Sequence, residues 1–257
     1  MNLTTLTYEK KDRIAFISLA KRIEEAGLAL TFATELSEVC SDIQADKDIG
    51  ATLLFCEEKD ALSMDGHVLR EWPWQLEGGE EGPVSLAEPV ARLEQPVVAG
   101  IPGDAVGPGL ELALTCDLRI GSRGSGFGLP HVRYGLMPWD GGIQRLSRLI
   151  GKGKAMEMIL TAQRIEAQEA YRIGLLNRVA SENELKDLAL NMVTEMASKA
   201  PLSMAYAKEA VNKGMDLTLE QGLRLEADLY FLIQTSQDRT EGIKAFQEKR
   251  APHFRGR

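Results

Sequence analysis

Two short runs, Ala51–Cys56 (ATLLFC) and Pro96–Ile101 (PVVAGI), carry almost no polar side chains and are too short to be helices. A strand with one wet face alternates apolar and polar residues. A run that is apolar throughout has to bury both faces, as parallel strands covered by helices do. The segment before the first run supplies such a cover: after Leu28, Phe32, Leu36, Val39 and Ile43 recur at spacings of three and four, the stripe of an amphipathic helix. Further upstream, Arg13–Leu19 (RIAFISL) alternates loosely between charged flanks and reads as an edge or half-buried strand. Strand, helix, strand and helix in succession define an α/β chain.

Between the two runs lies Trp72–Glu94, whose Gly-Gly-Glu-Glu-Gly-Pro centre is acidic and turn-rich, the composition of a mobile loop. Trp72 and Trp74 beside it either anchor that loop or form a hydrophobic lid, and a helix is expected from Leu86 onward. After Gly142 the character turns helical, through GIQRLSRLIG, KAMEMILT, EAQEAYRIG and a long run from Glu182 to about Lys199. Ser181 and Glu184 have capping-box spacing at the start of that run, and Pro201 opens a further helix where proline is tolerated. A last helical stretch, Leu217 to Gln234, carries Leu219, Leu223, Tyr230 and Ile233 on one side. The division expected is a core over residues 1–195 and a helical C-terminal region over 196–257, the latter suited to packing on another subunit or, equally, on its own core.

A net charge of −8 argues against a nucleic-acid-binding surface, which needs clustered basic charge. No apolar stretch approaches the roughly 20 residues of a membrane span, and the N-terminus lacks the organisation of a signal peptide, so a cytoplasmic protein is expected. Cys40, Cys56 and Cys116 are odd in number and lack CxxC spacing; buried free thiols are expected, with no metal site.

The second apolar run leads into Gly107-Pro108-Gly109-Leu110-Glu111-Leu112-Ala113-Leu114-Thr115-Cys116-Asp117. Glycines here mark a tight turn and close backbone approach before an apolar helix. Glu111, in its first turn, either stabilises the helix N-terminus or acts as a general base.

From Pro96 to Val179 the chain resembles the crotonase superfamily, the enoyl-CoA hydratase/isomerase family. The resemblance is carried by PVVAGIPGDAVGPGLELALTCDLRIGS, by FGLPHVRYGLMPWDGGIQRLSRLIGKGKAMEMILTAQRIEAQEAYRIGLLNRV and by the ending EGIKAFQEKRAPHF. It implies an α/β spiral of ββα repeats with a C-terminal α-helical trimerisation region, assembled as a homotrimer or a dimer of trimers. The substrate implied is an acyl-CoA thioester, with coenzyme A arriving as part of it and no further cofactor. The shared chemistry is a thioester enolate held by two backbone N–H groups, an oxyanion hole. The outcome differs between members, so it has to be argued from the residues.

Glu111 matches the first of two glutamates that hydratases of the family use to handle water, and His131 stands where the second belongs. Histidine moves protons near neutral pH, so a Glu/His pair is workable. Trp139 and Asp140 replace small residues; the resemblance implies that Trp139 reshapes the acyl pocket and that Asp140 is a third acid–base candidate. The first oxyanion donor falls on the N–H of Gly66, flanked by Met64 and Asp65 where small residues are usual, with His67 one position from a functional histidine of decarboxylase members. The second donor falls on Pro108, between Gly107 and Gly109, and a proline nitrogen has no hydrogen to give. Ser63, Asp65, Lys249 and Phe254 occupy positions that hold coenzyme A, while LAKRIEEAGLAL departs from the usual N-terminal substrate loop. Three functions follow as expectations: a hydratase/isomerase with Glu111 as base; a decarboxylase or thioester hydrolase; or a CoA-ester-binding subunit with little catalysis.

Overall fold

The computed structural model describes residues 3–77 and 80–257. Gly78 and Gly79, at the centre of the acidic segment, and the Trp74 side chain lie outside the described residues.

The larger sheet has six strands in the order Leu6–Lys11, Ile14–Leu19, Ala51–Cys56, Val97–Ile101, Leu118–Ser122 and Arg178–Ala180. Its first pair is antiparallel and the rest are parallel. Alternation explains the apolar runs: Leu53 and Phe55 point to one face and Leu54 and Cys56 to the other, and both faces are covered. On one side lies the helix Ala26–Ala45 with Phe32, Leu36, Val39 and Ile43 buried; on the other lies Glu182–Ala197 through Leu185, Ala189 and Val193. The strand Ile14–Leu19 is interior and not an edge, because Leu6–Lys11, a polar-looking TYEKK segment, pairs outside it over six residues. Charged side chains suit that outer position, where one side of the ladder is open.

A second sheet runs Arg164–Glu166, Gly126–Gly128, Ala105–Val106, Leu62–Ser63. Three times the chain follows a long strand of the first sheet with a short strand of the second and then a short helix: His67–Arg70, Pro108–Ala113 and the 3-10 helix Pro130–Tyr134. This repeated ββα unit is the spiral the sequence implied. The stretch after Gly142 is not wholly helical, since Arg164–Glu166 and Arg178–Ala180 return to the two sheets as edge strands. Their three-residue length hides them from any periodicity. The segment Trp74–Glu77 pairs with Glu80–Pro83 as a hairpin, followed by the short helix Ala87–Ala91.

The last helices are Pro201–Gly214, Leu219–Gln234 and Gln237–Glu248. Pro201 holds the first helical position, and Ser181 and Glu184 form the expected capping box one helix earlier. The first of these helices buries no residue, and Leu219, Leu223, Tyr230, Phe231 and Phe246 are exposed. Cys40, Cys56 and Cys116 are buried free thiols. No helix among the described residues is long and apolar enough to cross a membrane.

Candidate active site

The short parallel strands end in register, so the segments that follow them form one cluster. Leu62, Ala105 and Phe127 are partners across the sheet, as are Ser63, Val106 and Gly128. Next in each repeat come Met64-Asp65-Gly66, Gly107-Pro108-Gly109 and Leu129-Pro130-His131. Met64 N–H donates to the Val106 carbonyl (3.1 Å) and Gly107 N–H to that of Gly128 (3.0 Å), tying the three segments together.

Close packing dictates the two glycines. Gly107 adopts φ 61°, and a Cβ there would strike the Met64 carbonyl; a Cβ on Gly109 would overlap the carbonyl of Leu62. Pro108 occupies the first position of the helix Pro108–Ala113, where its fixed φ is preorganised and its missing N–H has no helical acceptor to lose.

Glu111 lies in the first turn of that helix and is fully buried. Its Oε1 accepts from Asp140 N–H and Gly142 N–H, each at 2.9 Å. A Cβ on Gly142 would sit 2.7 Å from the same oxygen, so the clamp requires glycine. Oε2 is 3.3 Å from His131 Nε2 but out of line for a hydrogen bond. Neither Oε2 nor either ring nitrogen of His131 has a hydrogen-bond partner among the described residues. One carboxylate oxygen is thus fixed by the backbone, and the other lies beside an imidazole nitrogen with neither atom hydrogen-bonded. Unpaired buried polar atoms are costly to stability and concentrate where chemistry needs them.

His131 is the second residue of the 3-10 helix Pro130–Tyr134 and is fully buried. Trp139 meets its ring edge-on, with centroids 5.2 Å apart at 86°, and Trp72 lies 5.8 Å from Trp139 at 51°. Trp72 also donates from Nε1 to the Val84 carbonyl (2.8 Å), so it anchors the hairpin as well as packing beside the Glu111–His131 pair.

Asp140 divides its duties. Its N–H touches Glu111, whereas its carboxylate accepts from Ser85 Oγ (2.5 Å), Leu86 N–H (2.8 Å) and Ala87 N–H (2.8 Å) at the start of the helix Ala87–Ala91. The side chain named as a third acid–base candidate is a helix cap here. Gly66, at φ 62°, donates its N–H to Asp65 Oδ1 at 2.7 Å. The Tyr134 ring centre lies 5.8 Å from the guanidinium of Arg70, whose Nε donates to the Gly66 carbonyl (3.3 Å). Met64 is fully buried in the core, and Ser63 sits on the short strand with its N–H on the Asp60 carbonyl (2.8 Å). His67 is turned outward, its side chain 60% exposed and 3.2 Å from Glu71, apart from the Glu111 cluster. Lys249 is exposed, and Phe254 borders a groove with Arg13, Ser198 and Lys199; neither joins the cluster within this chain.

Ser85 and the backbone amides of Asp140 and Gly142 were absent from the sequence-derived site. That the close neighbour of Gly142 is a carboxylate is a fact of tertiary structure.

Residues 9–257 match the model of the family described as Enoyl-CoA hydratase/isomerase. A short-chain-enoyl-CoA hydratase of Clostridium acetobutylicum is 34% identical over 256 residues, covering 97% of this chain and 97% of the relative. An (E)-benzylidenesuccinyl-CoA hydratase of Thauera aromatica is 35% identical over 255 residues, covering 98% and 99%. The crystal structure of an enoyl-CoA hydratase from Bacillus anthracis superposes with a TM-score of 0.84 at 31% identity, covering 99% of this chain and 100% of the other.

Proposed function

The chain belongs to the enoyl-CoA hydratase/isomerase family and is an acyl-CoA enzyme of that type, and we propose that it adds water across the double bond of an enoyl-CoA, with Glu111 as general base. The observation that carries this is the clamped carboxylate: Oε1 held by two amides, Oε2 unpaired and 3.3 Å from His131 Nε2. A water between Oε2 and the imidazole loses a proton to Glu111 as its oxygen bonds to C3 of the acyl chain. The double-bond electrons move toward the thioester oxygen, and His131, protonated on Nε2, returns a proton to C2. Transfer from the Glu111 carboxyl to the imidazole resets the pair, so the sum is one water added.

Gly66 N–H is the oxyanion donor in this scheme, once thioester oxygen displaces the Asp65 carboxylate. Trp139 and Trp72 bound the acyl side and keep bulk water from the carbanion-like intermediate. The exposed apolar faces of the last helices fit self-association as a homotrimer or a dimer of trimers, with Lys249 and Phe254 offered to coenzyme A across the subunit boundary.

Crotonyl-CoA hydration, followed by loss of the conjugated thioester absorbance, tests the assignment. Glu111→Gln keeps the volume but not the base and should lower kcat by at least about 100-fold; an unchanged rate removes Glu111 from the chemistry. Pro108 favours a second reading, a CoA-ester-binding subunit with little turnover, because removal of one oxyanion donor costs about 2.7–4 kcal/mol. Calorimetric binding of crotonyl-CoA without turnover would establish it.

A further inference from the structure

Every polar group of Asp140 is engaged, and each engages a different part of the chain. Its N–H donates to Glu111 Oε1 at 2.9 Å, and its carbonyl accepts from Arg145 Nη1 at 2.8 Å. Its carboxylate takes the Ser85 hydroxyl on Oδ1 (2.5 Å) and the amides of Leu86 and Ala87 on Oδ2 (2.8 Å each). Hydrogen bonds to a charged acceptor are the strong class, so this is the firmest anchor on the segment. The segment needs one: residues 136–141 lie between the 3-10 helix and the helix Gly142–Ile150, in neither helix nor strand. The anchor also closes a ring. Ser85 follows Val84, whose carbonyl holds the Trp72 indole N–H, and Trp72 packs on Trp139, the residue before Asp140.

On the reading of Glu111 as general base, we propose that the Asp140 carboxylate is a positioning group: docked on Ser85, Leu86 and Ala87, it holds the peptide whose N–H aims the base, and it ties that base to the aromatic wall. The two amides that clamp Glu111 belong to Asp140 and Gly142, with Gly141 at φ 89° between them. The Asp140 peptide cannot turn away from Glu111 without its carboxylate leaving three donors and its carbonyl leaving Arg145. A cap for the helix Ala87–Ala91 could come from any residue near its start. Here it comes from the one residue whose own amide meets the base, so the wall and the base share a single support.

Crotonyl-CoA hydration beside a thermal melt tests this. Asp140→Ala keeps every amide that touches Glu111 and removes only the anchor. It should lower kcat roughly 10- to 100-fold while KM moves far less, as when a catalytic group shifts by up to about 1 Å. Asp140→Asn keeps an oxygen for the Leu86 and Ala87 amides and should recover most of the loss, whereas a proton-transfer group would be lost in both variants alike. In a Glu111→Gln chain, Asp140→Ala should cost little further kcat, because no base is left to aim; a general loosening of the fold would lower the rate in both backgrounds. An unchanged kcat in folded Asp140→Ala, equal losses in the alanine and asparagine variants, or full additivity with Glu111→Gln each overturns the role. Should Asp140→Ala not fold, Ser85→Ala, which removes one of the three donors, takes its place: a several-fold fall in kcat at steady KM supports the proposal, and an unchanged kcat overturns it. No hydration by the unsubstituted protein, or a rate indifferent to Glu111→Gln, fails the base reading and the proposal with it. If Glu111→Gln stops hydration and Asp140→Ala does not slow it, only the positioning role falls.

Discussion

Gly142→Ala isolates the positioning of the proposed base from its chemistry. Gly142 starts the helix Gly142–Ile150 with ordinary negative φ, so alanine brings no backbone strain and a better helix propensity. Its methyl would stand 2.7 Å from Glu111 Oε1 and 2.8 Å from Cγ, against ordinary contacts of 3.4 Å and more. The carboxylate has to retreat by about 0.7 Å, which stretches two 2.9 Å hydrogen bonds to the edge of the range in which they hold. Hydrogen bonds to a charged group contribute about 1.5–3 kcal/mol each, so partial loss of two should cost about 1–3 kcal/mol of folding stability. Misplacing a catalytic group by about 1 Å costs roughly 100-fold in rate. The expected outcome is therefore a folded protein, melting a few degrees lower, whose kcat on crotonyl-CoA falls roughly 100-fold while its KM moves far less. Steady-state kinetics beside a thermal melt decide it. A folded variant with undiminished kcat would refute the idea that the amide clamp aims Glu111.

Trp139→Gly removes the aromatic wall against His131 and should raise kcat/KM for longer acyl-CoAs relative to crotonyl-CoA; a competition assay between chain lengths reads the ratio. Acid should find a different weak point. Burial alone would raise the Glu35 carboxyl, but donors from Thr5 and Thr4, both N–H and hydroxyl, outweigh it and bring it down to about 2. Because the folded value is the depressed one, this stabilisation is complete above the unfolded carboxyl range and is lost as pH falls from about 4.5 toward 2; roughly 3 kcal/mol should vanish from denaturant midpoints there, and Glu35→Gln should flatten the slope. The thiols of Cys40 and Cys116 are pushed up to about 12, by burial first, so a thiol reagent should label neither in the native protein and both on unfolding.

How far the fold could be read from sequence depended on element length and on whether a pattern is local. Ala51–Cys56 and the stripe of Ala26–Ala45 announce themselves because burial on a sheet or helix imposes a period on a stretch long enough to show it. Strands of two or three residues, Leu62–Ser63, Ala105–Val106 and Arg164–Glu166, show no period, yet they set the register of the site. Leu6–Lys11 escaped for another reason: an edge strand with a polar face does not look apolar. At the site, Glu111 was legible from a motif, and Gly107 and Gly109 from their punctuation. The amides of Asp140 and Gly142 were not, because their roles depend on a neighbour 29 to 31 residues away.

The proline in the loop makes physical sense once helix and hole are separated. For the helix, position 108 is the place where a ring with fixed φ and no N–H does no harm. On the proposed hydratase reading, the same place is where an oxyanion donor is lost, and nothing in the helix resists that loss. Gly107 and Gly109 had no such freedom, because carbonyls of the neighbouring repeat press against both. Selection could therefore change the donor at 108 without disturbing the packing on either side.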